Sequence, residues 1–151
     1  MEWKWATPDD LETLVRTRME VLRAANGLDD SADMSRVEAQ TRVYYQQCWD
    51  THAALLVYKD ETVVGTGGVS FYRVMPTCMN PTGQKAYIMN MYTAPDYRRR
   101  GIARKTLDML VQECRRRGVD FITLEATAAG RPLYESYGFV PMNDEMILPE
   151  V

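Results

Sequence analysis

Arg98-Arg99-Arg100-Gly101-Ile102-Ala103-Arg104 places arginines around a glycine and a small residue, directly between a strand-like run and an amphipathic stretch. The first amides of an α-helix have no acceptor inside the helix, and the helix dipole adds about half a positive charge there. A strand-to-helix junction of this composition is an anion site, suited to a pyrophosphate resting on main-chain N–H groups. Gly101 lets the backbone come close to a ligand, Ala103 keeps the next exposed position small, and guanidinium groups at the rim add charge-assisted bonds to phosphate oxygens. The same arginines could form a solvated charge run, but the glycine, the alanine and the junction favour binding. Arg115 to Arg117, by contrast, fall at a helix end, where positive charge complements the dipole.

Other chemistries find less support. Gly65-Thr66-Gly67-Gly68-Val69-Ser70 fails as a dinucleotide fingerprint, because it ends in serine and lies inside a strand pattern instead of opening a helix. No G-x-x-x-x-G-K-[ST] run is present, so nothing supports an NTPase. The one histidine, His52, has no histidine or cysteine cluster around it, and Cys48, Cys78 and Cys114 are widely spaced. We therefore expect no metal, no disulfide framework and no Cys/His nucleophile. A formal net charge of -3 gives no reason to expect nucleic acid and leans weakly toward cationic substrates.

The elements that must position the junction follow from periodicity. The 151 residues fit one domain, 1–151, able to bury roughly two-thirds of the surface its unfolded chain exposes. A short first strand precedes Thr7-Pro8-Asp9-Asp10, which reads as a capped helix start with proline at the first position. Leu11, Leu14, Val15 and Leu22 continue at helical spacing to Asn26-Gly27. A second helix, capped by Asp30 or Ser31, carries Val37, Thr41, Tyr44, Tyr45 and Cys48 on one stripe, read as core packing. Ala53 to Tyr58 and Thr62 to Val74 form a hairpin turned at Asp60-Glu61. Met75 to Lys85 is a long loop and a candidate substrate-binding segment. Strand Ala86 to Thr93, a helix from about Ile102 to Arg117 stopped by Gly118, strand Phe121 to Ala126, a short helix Arg131 to Tyr137 and a last strand Phe139 to Leu148 complete an α+β order. No run approaches the roughly 20 apolar residues of a membrane span. Met1 to Trp5 lacks the apolar stretch of a secretory signal, so a cytoplasmic setting with reduced thiols is expected.

Arg98, Gly101 and Ala103 fill the Gln/Arg-x-x-Gly-x-Gly/Ala pattern of the GNAT superfamily, the Gcn5-related N-acetyltransferases, which this chain resembles. The likeness includes Met91 to Tyr97 and Pro132-Leu133-Tyr134-Glu135-Ser136-Tyr137-Gly138-Phe139, and is specific from about Tyr87 to Phe139. It implies α/β/α layers and a mostly antiparallel sheet splayed into a V-shaped cleft that takes acetyl-CoA. Cofactor contacts would come from Met91, Tyr92, Thr93, Arg98, Arg99, Arg100, Gly101, Ile102, Ala103 and Arg104. An amide near Met91 would polarise the thioester carbonyl, an electrostatic form of catalysis. Tyr134 matches the family position whose phenol protonates the departing thiolate, and a phenol with reference pKa about 10 holds its proton for that purpose at neutral pH. Tyr137, one turn later, suits the core.

The amine must attack in its neutral form, so the site needs a route for its proton. Glu125 is the first choice of base. Glu20 in the first helix is the second, and Asn90 could orient substrate but cannot accept a proton usefully. The segment from Ala126 to Leu133 is shorter than in many relatives and lacks their cofactor-contacting asparagine, leaving Thr127 or Arg131 in its place. The expected activity is N-acetylation of a small-molecule or peptide amine by direct attack in a ternary complex. A non-catalytic acyl-CoA-binding or sensing module would keep the phosphate site and have no need of Tyr134. Homodimerisation fits the habits of small family members, though no stripe in this sequence requires it.

Overall fold

The computed structural model describes residues 1–150. β1 (Glu2–Trp5) leads through a single 3-10 turn at Pro8–Asp10 to α1 (Leu11–Asn26) and α2 (Ser35–Gln47). β2 (His52–Lys59), β3 (Thr62–Arg73), β4 (Gln84–Thr93), α3 (Ile102–Arg116), β5 (Ile122–Leu124) and α4 (Arg131–Tyr137) follow. The strands form one sheet in the order β1-β2-β3-β4-β5, antiparallel except for the parallel β4–β5 pair. The α+β class and the mostly antiparallel sheet agree with the sequence reading.

β2 explains the layering. Ala54 and Leu56 project toward Leu14, Val15 and Tyr45 of α1 and α2. Leu55 projects the other way, into a cluster with Val69, Ile88 and the α3 residues Leu107, Leu110, Val111 and Cys114. A strand buried on both faces needs apolar side chains at every position, which is why Ala53 to Val57 reads as an unbroken run. Tyr134 joins the α3 cluster from α4.

Gly67 fixes how closely α3 can approach the sheet. A Cβ there would lie 2.7 Å from Met91 Sδ, 2.8 Å from Thr106 Cγ2 and 2.9 Å from Leu110 Cδ1, so any larger residue would force these side chains to shift. Gly65, whose Cβ would meet Ile102 Cγ2 at 3.2 Å, and Gly67 thus let α3 pack close against β3.

One expectation needs refining and two need correction. The helix start at Thr7-Pro8 holds, with Thr7 at the cap and its amide bonded to Asp10 Oδ2 at 2.8 Å, but its first turn is 3-10 and the α-helix proper starts at Leu11. α2 starts at Ser35 and is not capped by Asp30 or Ser31: Asp33 Oδ1 accepts the Ser35 amide at 3.0 Å, while the Ser31 amide and hydroxyl turn back on Asp29 Oδ1. The last strand, expected over Phe139 to Leu148, is absent, and residues 139–150 have no regular backbone structure. Pro141 has no amide to give to a ladder, and Met146, Ile147 and Leu148 stand 98%, 88% and 92% exposed.

Candidate active site

β4 and β5 part company after Ile88 and Leu124. Their ladder runs only from Ala86↔Ile122 to Ile88↔Leu124. Beyond Ile88 the β5-facing edge of β4 has no strand partner among the described residues. On its other side β4 carries a bulge: Gly68 pairs with Met89 and Thr66 with Tyr92, so Gly67 alone faces Asn90 and Met91. Asn90 takes a left-handed φ of 61°, which asparagine tolerates better than most residues. The bulge offsets the alternation, so that Met89 and Asn90 both line the cavity under α1 and α2 while Met91 packs into the α3 cluster. The free edge from Met89 to Thr93 can pair with an extended ligand as a neighbouring strand would.

The free edge leads directly to the start of α3. Arg98 Nε donates to the Thr93 carbonyl at 3.1 Å, which ties the end of the strand to the loop. Arg99 and Gly101 both adopt left-handed φ, 61° and 79°. Nothing lies within 4 Å of a Cβ built at Gly101, so within the protein it is the backbone turn that calls for glycine. The Lys105 amide is bonded to Gly101 O at 3.1 Å, so the amides of Ile102, Ala103 and Arg104 precede the helical ladder. The first turn contains no acidic residue.

Side chains around this turn are held in place. Ile102 is buried against Val57 and Val64, and Thr106 donates to the Ile102 carbonyl while accepting Trp3 Nε1 at 3.0 Å. Arg100 lies over Tyr97 at 5.2 Å, Arg104 over Tyr137 at 5.5 Å, and Lys105 over Trp3 at 3.8 Å. Arg104 also donates to Ser136 Oγ at 3.2 Å. A positive rim on a set of free amides has the chemistry to receive an anion.

Tyr134 and Glu125 both line a cleft of about 720 Å³ beside β5, together with Ser70, Tyr72, Tyr87 and Leu124. Tyr134 is 8% exposed, its ring is edge-on to Phe139 at 6.1 Å, and its hydroxyl has no hydrogen-bond partner among the described residues. Burial raises its pKa, so the phenol keeps its proton at neutral pH. Glu125 is exposed at the end of β5, and Tyr87 is pushed up first by burial and then by the Glu125 carboxylate. Tyr137 donates to Asp108 Oδ1 at 2.8 Å. Thr127 Oγ1 accepts the Gly130 amide at 3.1 Å and Arg131 pairs with Glu135 at 2.6 Å, so both candidate replacements for the missing asparagine are engaged within the chain.

The remaining sequence candidates separate. Asn90 Oδ1 accepts a 3.0 Å bond from Arg18 Nη1 across the cavity between α1, α2 and the sheet. Glu20 is exposed and lines neither cavity. The loop from Met75 to Lys85 contributes no residue to either one. Arg18, Tyr44 and Ser70, the last two joined through their hydroxyls at 2.6 Å, were not singled out as site residues from sequence. The pattern at Arg18 is only that of an amphipathic helix, and Tyr44 falls within an apolar stripe.

Comparison with known proteins agrees with this geometry. The acetyltransferase (GNAT) family model matches residues 23–139. The ribosomal protein bS18-alanine N-acetyltransferase of Escherichia coli strain K12 is 41% identical over 58 residues, which is 36% of this chain and 39% of that protein. The similarity thus spans well under half of that relative's length. Among solved structures, a predicted acetyltransferase with acetyl-CoA from Clostridium acetobutylicum superposes with a TM-score of 0.89 at 30% identity, covering 98% of this chain and 95% of that one. A GCN5-related N-acetyltransferase from Ralstonia eutropha JMP134 gives 0.83 at 25% identity, with 99% and 97% covered. The open edge of β4, the amides at the start of α3 and the family match over residues 23–139 together establish that the chain belongs to the GNAT acetyltransferase family.

Proposed function

We propose that the protein transfers an acetyl group from acetyl-CoA to the amine of a small molecule or peptide, by direct attack with both substrates bound. The observation that carries this reading is the continuity of the unpaired β4 edge, Met89 to Thr93, with the free amides of Ile102, Ala103 and Arg104. Acetyl-CoA supplies an acetyl group activated as a thioester. The α3 amides, with Arg99, Arg100 and Arg104 at the rim, hold its diphosphate. Arg98 acts mainly through its bond to the Thr93 carbonyl. Backbone groups of Met91 and Thr93 align the extended arm, and the amide near Met91 faces the carbonyl oxygen where negative charge develops.

The amine nitrogen forms the new N–C bond as the C–S bond breaks. Its surplus proton leaves toward Glu125, directly or through water, and Tyr134 gives its phenolic proton to the departing sulfur before recovering one from solvent. A phenol kept neutral by burial is suited to that donation. The protein operates in a reducing compartment, the cytoplasm, where Cys48, Cys78 and Cys114 stay as thiols; burial pushes the Cys114 thiol up to about 11, leaving it unreactive. Among the described residues no helix is long and apolar enough to cross a membrane. A thiol-release assay with acetyl-CoA against a broad amine library tests the reading. Amine-dependent release supports it, and its absence across the library, with CoA still bound, would reassign the chain as a sensing module.

A further inference from the structure

Arg18 is a half-buried cation with no carboxylate in ion-pair reach among the described residues. It lines a cavity of about 260 Å³ whose walls include Tyr44, Tyr45, Met89 and Asn90 and contain no acidic side chain. A partly buried charge without a counter-ion is costly unless something else compensates it. Asn90 supplies one acceptor at 3.0 Å. That leaves four of the five guanidinium N–H groups to other partners, in a planar fork matched to a carboxylate. Burial lowers the Arg18 pKa, consistent with a charge short of compensation, yet arginine stays protonated in proteins.

We propose that the acceptor is a small amino-acid-like amine with an apolar body, and that Arg18 binds its carboxylate. This inference rests on the acetyltransferase reading above. Three observations support it. Asn90 pins the guanidinium from the β4 bulge, and Met91, the next residue, lies on the free edge, so a molecule anchored at Arg18 sits beside the donor strand. The tyrosines and Met89 offer apolar surface to the body of the amine. Ser70 lines both this cavity and the Tyr134–Glu125 cleft, so the two spaces adjoin. The local charge therefore opposes the weak cationic preference suggested by the net charge of -3.

Matched probes test this: phenylalanine against phenethylamine, with phenylalaninamide and a phenylalanyl dipeptide as further arms. Each is followed by thiol release and by calorimetric titration of the CoA-saturated protein, which needs no turnover. The free amino acid should be favoured roughly ten- to a hundredfold over phenethylamine, as expected for charge-assisted bonds. Arg18→Met should abolish that preference through KM or Kd while leaving acetyl-CoA affinity in place, and Arg18→Lys should restore part of it. Equal or better use of phenethylamine or of the dipeptide would overturn the proposal, as would an Arg18→Met protein that keeps the preference, or failure of every carboxylate probe to bind at millimolar concentration. If acetyl-CoA itself fails to bind, the function proposed above falls, and titration of the unloaded protein still decides whether Arg18 selects carboxylates.

Discussion

Tyr137 donates a 2.8 Å hydrogen bond to Asp108, fastening α4 to α3, while Tyr134, one turn earlier on the same helix, leaves its hydroxyl without a protein partner beside the cleft. Two tyrosines three residues apart thus differ in engagement: one anchors the helix and the other lines the cleft with its hydroxyl unbonded to protein. Tyr137→Phe should lower thermal stability, by about 1 kcal/mol for one lost hydrogen bond, with little change in turnover.

Tyr134→Phe should do the reverse. The ring packing against Phe139 is retained, and loss of a general acid should reduce kcat by roughly a hundredfold or more. Steady-state thiol release and CoA calorimetry on the same protein check this. Unchanged kcat would remove Tyr134 from the chemistry.

Gly67→Ala should destabilise the protein by about 1–3 kcal/mol through overpacking, because the added methyl meets Met91, Thr106 and Leu110 within 3 Å. Gly68→Ala is the control, since its nearest contacts, at 3.6 and 3.7 Å, are ordinary. Denaturant unfolding of the two variants should separate them clearly.

Gly101→Ala places a side chain at a left-handed φ of 79° with free space around it. The strain, about 1–2 kcal/mol, falls on the turn that presents the α3 amides. Acetyl-CoA affinity should therefore drop along with stability, measurable by calorimetry and thermal unfolding.

His52 predicts a pH dependence. Its ring is packed among Tyr44, Tyr45 and Trp49, Nδ1 bonds the Cys48 carbonyl at 3.0 Å, and Nε2 is buried without a partner. Burial, with a smaller contribution from Arg117, lowers its pKa, because protonation would create a buried N–H with no acceptor. A folded pKa below the unfolded value of about 6.5 means full stability above that pH and progressive loss as pH falls below it. Urea unfolding at pH 7.5 and 5.5 should show that loss, and His52→Phe should flatten it.

How much of this was readable in advance depends on how local the signal is. The α3 start, the short helix that carries the two tyrosines and the β2–β3 hairpin are set by neighbours within a turn or two, so residue order alone exposes them. The Arg18–Asn90 bond spans 72 positions and needs a left-handed residue inside β4, which the pattern of Ala86 to Thr93 does not announce. The β3 glycines could be rejected as a nucleotide fingerprint, but their role required knowing that α3 lands on Gly67. Phe139 to Leu148 reads as a strand on apolar content, yet a strand needs a partner edge and Pro141 weakens any ladder.

Whether the free amides of Ile102, Ala103 and Arg104 hold a diphosphate is tested most directly by calorimetry with CoA, acetyl-CoA and inorganic pyrophosphate on the purified protein. Binding of both CoA forms, weakened by competing pyrophosphate and by Gly101→Ala, is the predicted result. No heat of binding from either form at millimolar concentration would contradict the account.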